Sequence, residues 1–230
     1  MVEAEFDAHS QHYRDQHQAS VSFGGIELDY FAEYKAQVAR SVCEQLTISP
    51  STIMDFGAGI GNAVKPLHDA FPDAHIKCVD VSEDSLRQCS ALHVPNSSVH
   101  VYDGQHIPFA SGSVDLAFTA CVFHHIPAAD HVRLLAEIRR CLAPGGVMVL
   151  FEHNPINPLT RLAVARCPFD ENAVLINSWT MKQRFIDAGF STAASRYRIF
   201  FPGFLSKLRQ YESWLEAIPL GGQYYVVGRA

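Results

Sequence analysis

The sequence predicts an α/β fold, a doubly wound parallel sheet within a single domain. Three observations carry that prediction. From residue 50 onward short apolar runs alternate with segments of helical period, the rhythm of βαβ units. The apolar run "STIMDF" closes on an acid, and glycines at alternate positions follow, Gly57, Gly59 and Gly61, as a strand does when it turns sharply beside a ligand. A chain of 230 residues with 48% hydrophobic content can bury one substantial core.

Residues 1–49 precede the first strand and read as mostly helical, as in "YFAEYKAQVARSVCEQL". With no strand set of their own they are expected to cap the ligand edge of the sheet. "STIMDF" is the first strand, "AVKPLHDAFP" a helix with Pro66 near its start, where proline is tolerated, and "AHIKCVDV" the second strand. A helix over residues 83–91 follows, with Ser82 placed to cap it. "SVHVYD" is the third strand, and "SVDLAFTACVF" the fourth, apolar on both faces as a buried strand should be. Val132, Leu135, Ile138 and Leu142 recur at spacings of three and four, which predicts an amphipathic helix. "APGG" ends that helix and "VMVLFE" is the fifth strand, so residues 50–153 form the ligand-binding core.

The rhythm then breaks. Residues 154–177 contain three prolines and two arginines before a helix resumes near Ser178, an insertion placed where a lid would be. That helix stops at Ala188-Gly189. Residues 178–230 complete the domain with "RYRIFF", a helix whose stripe of Phe204, Leu208, Tyr211, Leu215 and Ile218 is expected to pack in the core, and a closing strand "QYYVVGR".

The 18 basic and 24 acidic residues give a formal net charge of −6, so no broad electrostatic footprint for nucleic acid is present and a small-molecule partner is expected. Six scattered cysteines without a CxxC pair read as reduced thiols of a cytoplasmic protein rather than a disulfide framework or a zinc site. The first twenty residues have no apolar signal core, and no apolar run nears the roughly 18 residues of a membrane span. Oligomeric state is not legible.

A glycine turn after a first strand lets a ligand approach the backbone closely. Two ligand classes compete for it. A dinucleotide fingerprint wants GxGxxG, but the spacing here is Gly57-x-Gly59-x-Gly61, with Asn62 where the last glycine would stand. Asp55, two positions before Gly57, suits a ligand with cationic groups such as S-adenosylmethionine better than a pyrophosphate. Asp80 ends the second strand, about 20 residues on, where a carboxylate takes ribose hydroxyls of either cofactor. Asp103-Gly104 follows the third strand, where a carboxylate can accept from an adenine amino group, or simply make a turn.

"IMDFGAGIGN", "CVDVSEDSL", "YDGQHIPFASGSVDLAFTACVFHHI" and "RRCLAPGGVMVLFE", in that order over residues 50–153, resemble the motifs of class I S-adenosylmethionine-dependent methyltransferases. The likeness is to the small-molecule branch that includes ubiquinone and menaquinone methyltransferases. The resemblance implies a Rossmann-like seven-stranded sheet with an antiparallel last strand, and S-adenosyl-L-methionine as cofactor. It implies that Asp55, Gly57, Ala58 and Gly59 border the methionyl part, and that Asp80 with Val81 meets the ribose. Asp103 with Gly104 would then meet the adenine, and Thr119, Ala120 and Cys121 line the other side. Tyr13, in the lead-in "FDAHSQHY", is similar to a tyrosine that covers the methionyl end.

Methyl transfer is served by orientation and water exclusion, and a hydroxyl acceptor adds the need for a base. His125 and His124, after the fourth strand, are the candidate bases; neighbours point apart, so one of them faces the substrate, and His125 is preferred. His153 and Asn154 after the fifth strand, and Arg161 and Arg166 in the insertion, are candidate substrate contacts, the arginines for an anionic acceptor. No metal is expected, because the histidines lack a carboxylate at ligand spacing. A nicotinamide-dependent oxidoreductase and a non-catalytic S-adenosylmethionine-binding protein are the alternatives.

Overall fold

The computed structural model describes residues 28–230 apart from 168, 169, 171, 202–204, 206, 207, 209 and 210. In chain order the elements are α1 (Leu28–Gln45), β1 (Thr52–Phe56), α2 (Val64–Ala70), β2 (His75–Asp80), α3 (Glu83–Ser90), β3 (Ser97–Val101) and β4 (Val114–Ala120). A 3-10 turn at Phe123–His125 leads through a second one to α4 (His131–Cys141), β5 (Leu142–His153), α5 (Pro158–Val164), α6 (Ser178–Asp187), β6 (Thr192–Arg198), α7 (Glu212–Leu215) and β7 (Gln223–Arg229).

The seven strands form one sheet in the order β3-β2-β1-β4-β5-β7-β6. Pairings among the first five are parallel, and β7 lies antiparallel between β5 and β6. This is the Rossmann-like seven-stranded sheet expected above. The winding direction reverses between β1 and β4, so a crevice opens at their carboxyl ends.

Both faces of the sheet are covered, which is why its central strands are apolar almost without interruption. In β5, Met148 and Leu150 face a cluster with Leu135 and Ile138 of α4 and Met181 and Phe185 of α6. Val147, Val149 and Phe151 face the other, with Ala36, Ala39 and Val42 of α1, Leu67 of α2 and Leu86 of α3. The N-terminal helix therefore lies on a sheet face, and it meets the ligand edge through Lys35, whose Nζ is 3.5 Å from Cys121 Sγ. Ser82 caps α3 as its position predicts, its Oγ accepting from the Ser85 amide at 3.1 Å.

Two expectations are corrected. "APGG" does not fall between helix and strand: Leu142 already begins β5, which runs through both glycines. The stripe after residue 200 is not core: α7 spans only Glu212–Leu215, and Leu208, Tyr211 and Ile218 are about 40% exposed (38, 44 and 41%). A period of three to four shows that apolar residues share a side, not that something packs on it. Phe204 lies outside the described residues. The insertion contains α5, capped by Asn157, whose Oδ1 accepts from the amides of Leu159 and Thr160.

Candidate active site

The glycine loop is held by β2. The amides of Gly57 and Ala58 both donate to Val79 O, at 2.8 and 3.1 Å. Gly57 has φ +73°, and a Cβ there would strike both methyl groups of Val122, so glycine is required for conformation and for space. Gly61 is also a packing position, where a Cβ would come within 2.8 Å of Cys89 Sγ. Gly59 differs, because at φ +52° it borders open space. Its amide donates to Asp80 Oδ2 at 2.8 Å, while Asp80 Oδ1 accepts from the Ser82 amide at 2.9 Å. The Asp80 carboxylate is thus fixed by two backbone donors.

Asp55 sits at the crevice end of β1, 2% exposed, and its Oδ2 has no hydrogen-bond partner. Burial, with the charge of Asp80 behind it, pushes its carboxyl up to about 7. A buried anion without a partner is costly, and a ligand cation placed here would relieve it. The crevice therefore fits the ammonium and sulfonium of S-adenosylmethionine. Asp103 is exposed, and its Oδ1 accepts from the amides of Gln105 and His106 at 2.8 and 2.7 Å. It makes the turn that places Gly104, which has φ +80° and open space beside it. Val81, at 44% exposure, and Ala120 border the same edge. Thr119 is fully buried with an unpartnered Oγ1. Tyr13 lies outside the described residues.

Across the crevice the chemistry is carried by side chains. The 3-10 turn after β4 presents His124, buried, and His125, partly exposed. Glu152, 1% exposed, engages this turn with both oxygens: Oε1 accepts from the Phe123 amide at 2.8 Å and Oε2 lies 2.6 Å from His124 Nδ1. Asp170, delivered by the insertion, places Oδ1 3.3 Å from His124 Nε2 and 3.5 Å from His125 Nε2. The insertion is tied here by the Val174 amide, which donates to His124 O at 2.9 Å. Burial opposes charge on His124, but Glu152 and Asp170 prevail and hold its imidazole well above the usual range. Against the cost of burial, His124 and the charge of His153 hold Asp170 down to about 2.

Beside this cluster lies a second one. Cys121 has a left-handed backbone, φ +59°. Its thiol is lowered to about 7, because the charges of His153 and Lys35 outweigh its burial. Gln223 Nε2 is 3.7 Å from its sulfur and 3.5 Å from His153 Nδ1.

The structure thus brings together Asp55, Gly57, Gly59, Asp80 and Cys121 with His124, His125 and His153. Asn154, expected as a substrate contact, is placed as a structural pin. It is fully buried, its amide donating to the carbonyls of Pro219 and Gly221 and its Oδ1 accepting from the Ile156 amide. Arg161 and Arg166 are exposed on the insertion. Glu152 and Asp170 went unread in the sequence. Glu152 left one signal, an acid closing an apolar strand directly before His153, whereas Asp170 left none.

Comparison with known proteins agrees with this geometry. Residues 53–146 match the family model described as a methyltransferase domain. The malonyl-[acyl-carrier protein] O-methyltransferase of Geobacter sulfurreducens is 31% identical over 129 residues, covering 54% of this chain and 48% of the relative. The trans-aconitate 2-methyltransferase of Deinococcus radiodurans is 31% identical over 121 residues, covering 52% and 45%. The chain spans about half the length of the curated relatives it matches. Among solved structures, a chain from the complex of the Haloferax volcanii Trm112 methyltransferase activator with a methyltransferase superposes with a TM-score of 0.70 at 21% identity, covering 100% of this chain and 99% of that one. Human N-acetylserotonin methyltransferase in complex with SAM superposes with a TM-score of 0.67 at 14% identity, covering 100% and 59%. The fold is the seven-stranded α/β fold of these solved methyltransferases, and residues 53–146 match the methyltransferase domain model.

Proposed function

We propose that the protein is an S-adenosylmethionine-dependent methyltransferase acting on a small or conjugated small molecule of anionic character. The observation that carries the reading is the buried, unpartnered carboxylate oxygen of Asp55 at the mouth of a glycine loop. When bound, the cofactor supplies a methyl group activated by its sulfonium. The chain's own residues bind and orient. Asp55 offers an anion to the methionyl end, Gly59 and Gly104 let backbone and ligand approach, and Asp80 faces the ribose with a carboxylate already aimed by two amides.

Support for an anionic acceptor comes from the relatives, whose names specify malonyl-[acyl-carrier protein] and trans-aconitate, and from Arg161 and Arg166 at the surface of the insertion. Of the two candidate bases, His124 is enclosed, with 1% of its side chain exposed, while His125 retains 12% and so has the better access to an acceptor. Among the described residues no helix is long and apolar enough to cross a membrane.

Calorimetric titration with S-adenosylmethionine and its demethylated product tests the reading, with NADH and NADPH as controls. Saturable binding of both methionine ligands, lost in Asp80→Ala and absent with the nicotinamides, is expected. Binding of a nicotinamide alone overturns it.

A further inference from the structure

We infer that His124, His125 and Asp170 form a binding site for one divalent transition-metal ion of the zinc class. The three ligand atoms lie within 4.8 Å of one another, with the two histidine nitrogens 3.3 and 3.5 Å from Asp170 Oδ1. Donors bound at about 2.0–2.1 Å around a tetrahedral zinc stand roughly 3.3 Å apart, so closure on an ion requires little movement.

The contact between His124 and Asp170 has a further property. His124 Nε2 is buried and makes no hydrogen bond, although a carboxylate oxygen lies 3.3 Å away. A proton shared between the two would have to lie on the line joining them. Donors that share an ion point at the ion and not at each other, which gives a short, poorly aligned contact of this kind.

The support behind the ligands fits as well. Glu152 grips His124 Nδ1 at 2.6 Å and is itself anchored by the Phe123 amide, so the imidazole is oriented with Nε2 toward Asp170. A carboxylate behind a ligating histidine is the usual outer support of a zinc ligand. Two imidazoles and one carboxylate favour zinc and its first-row neighbours over magnesium or calcium, which take oxygen ligands. Three protein ligands leave a position for water or an acceptor oxygen. The site is built from the β4 turn and the insertion, so an ion there would also fasten the insertion to the core. Ion binding stands apart from the methyl-transfer reading, whereas a role in presenting an acceptor rests on it and recasts His125 from base to ligand.

The test begins with full-length protein stripped by a chelator and titrated with Zn²⁺ against a chromogenic competitor, and with Co²⁺ followed by its visible spectrum. One tight ion per chain and intense bands of four-coordinate cobalt are expected. His125→Gln and Asp170→Asn, whose side chains reach the surface, should each weaken binding by about tenfold or more with melting temperature checked in parallel, and Glu152→Gln by roughly 10–100-fold. Zn²⁺ affinity unchanged in His125→Gln and Asp170→Asn, or a six-coordinate cobalt spectrum, overturns the inference and leaves a proton as the occupant of the cluster. S-adenosylmethionine titrated into the same stripped protein separates the two readings: cofactor binding without zinc binding removes only the metal site, and the converse removes only the methyltransferase.

Discussion

The two sides of the crevice are built by different means. On the β1–β3 side the chain itself makes the surface: glycines with positive φ, amides aimed at carboxylates, and contacts such as Ser82 to Asp80 that close within a few residues. On the β4–β5 side separate segments must meet: Glu152 reaches His124 across 28 positions, and Asp170 arrives from the insertion. The first side needs few side chains, and away from Asp55 and Asp80 it is expected to tolerate changes that leave its backbone alone. The second is a network of buried charges in which each member answers for the others.

The largest effect should come from breaking the second side. Glu152→Ala leaves the Phe123 amide and the His124 ring without their buried acceptor and is expected to destabilise the protein by about 3–5 kcal/mol, read by urea unfolding. A loss below about 1 kcal/mol would mean that the cluster holds little of the fold. Next comes Gly57→Ala, where overpacking against Val122 and left-handed backbone strain together should cost about 2–5 kcal/mol. Gly59→Ala meets open space and should cost about 1–2 kcal/mol from backbone strain alone. Equal losses in the two variants would show that space beside Gly57 is not what matters.

Asp55→Asn sharpens the comparison through pH. Because the folded-state carboxyl titrates near 7 and the unfolded one near 4, the ligand-free protein binds more protons than its unfolded chain between those values. Its stability therefore falls as pH rises through that window, by up to about 4 kcal/mol. Asp55→Asn removes the slope, so it should melt above the wild type at about pH 8 and bind S-adenosylmethionine more weakly. Parallel melting curves from about pH 5 to 8 would sink the assignment of Asp55 as an uncompensated buried acid. The smallest change is Ser82→Ala, which removes the cap of α3 and should cost about 1 kcal/mol.

How much could be read from the sequence follows the same division. "IMDFGAGIGN" was legible as a strand and glycine turn because its instructions are local: a strand, a turn that only glycine can make, and an acid at the strand end. The sheet, the cap of α3 and the stop at Gly189 were legible for the same reason. His124 was noticed but not its restraint, since Glu152 looked like the end of a buried strand and Asp170 like part of a polar insertion. Nothing local relates positions 124, 152 and 170; only the parallel pairing of β4 with β5 and the return of the insertion bring them together. The pinning of Asn154 was hidden in the same way, because its partners, Pro219 and Gly221, lie some 65 positions on. The stripe around Tyr211 erred in the other direction, offering a strong local period with no packing to match.

The place of β7 bears on how the chain is made. Val147 of β5 pairs with Arg229, and Thr192 of β6 pairs with the same residue, so the strand that joins β5 to β6 is translated after both. While the ribosome is still adding residues 199–222, a matter of seconds at roughly 5–20 residues per second, the nascent polypeptide presents the edge of β5 with its apolar row unpaired. Such an edge is a template for pairing with another chain. The late arrival of β7 makes this the interval in which holding chaperones have most to protect.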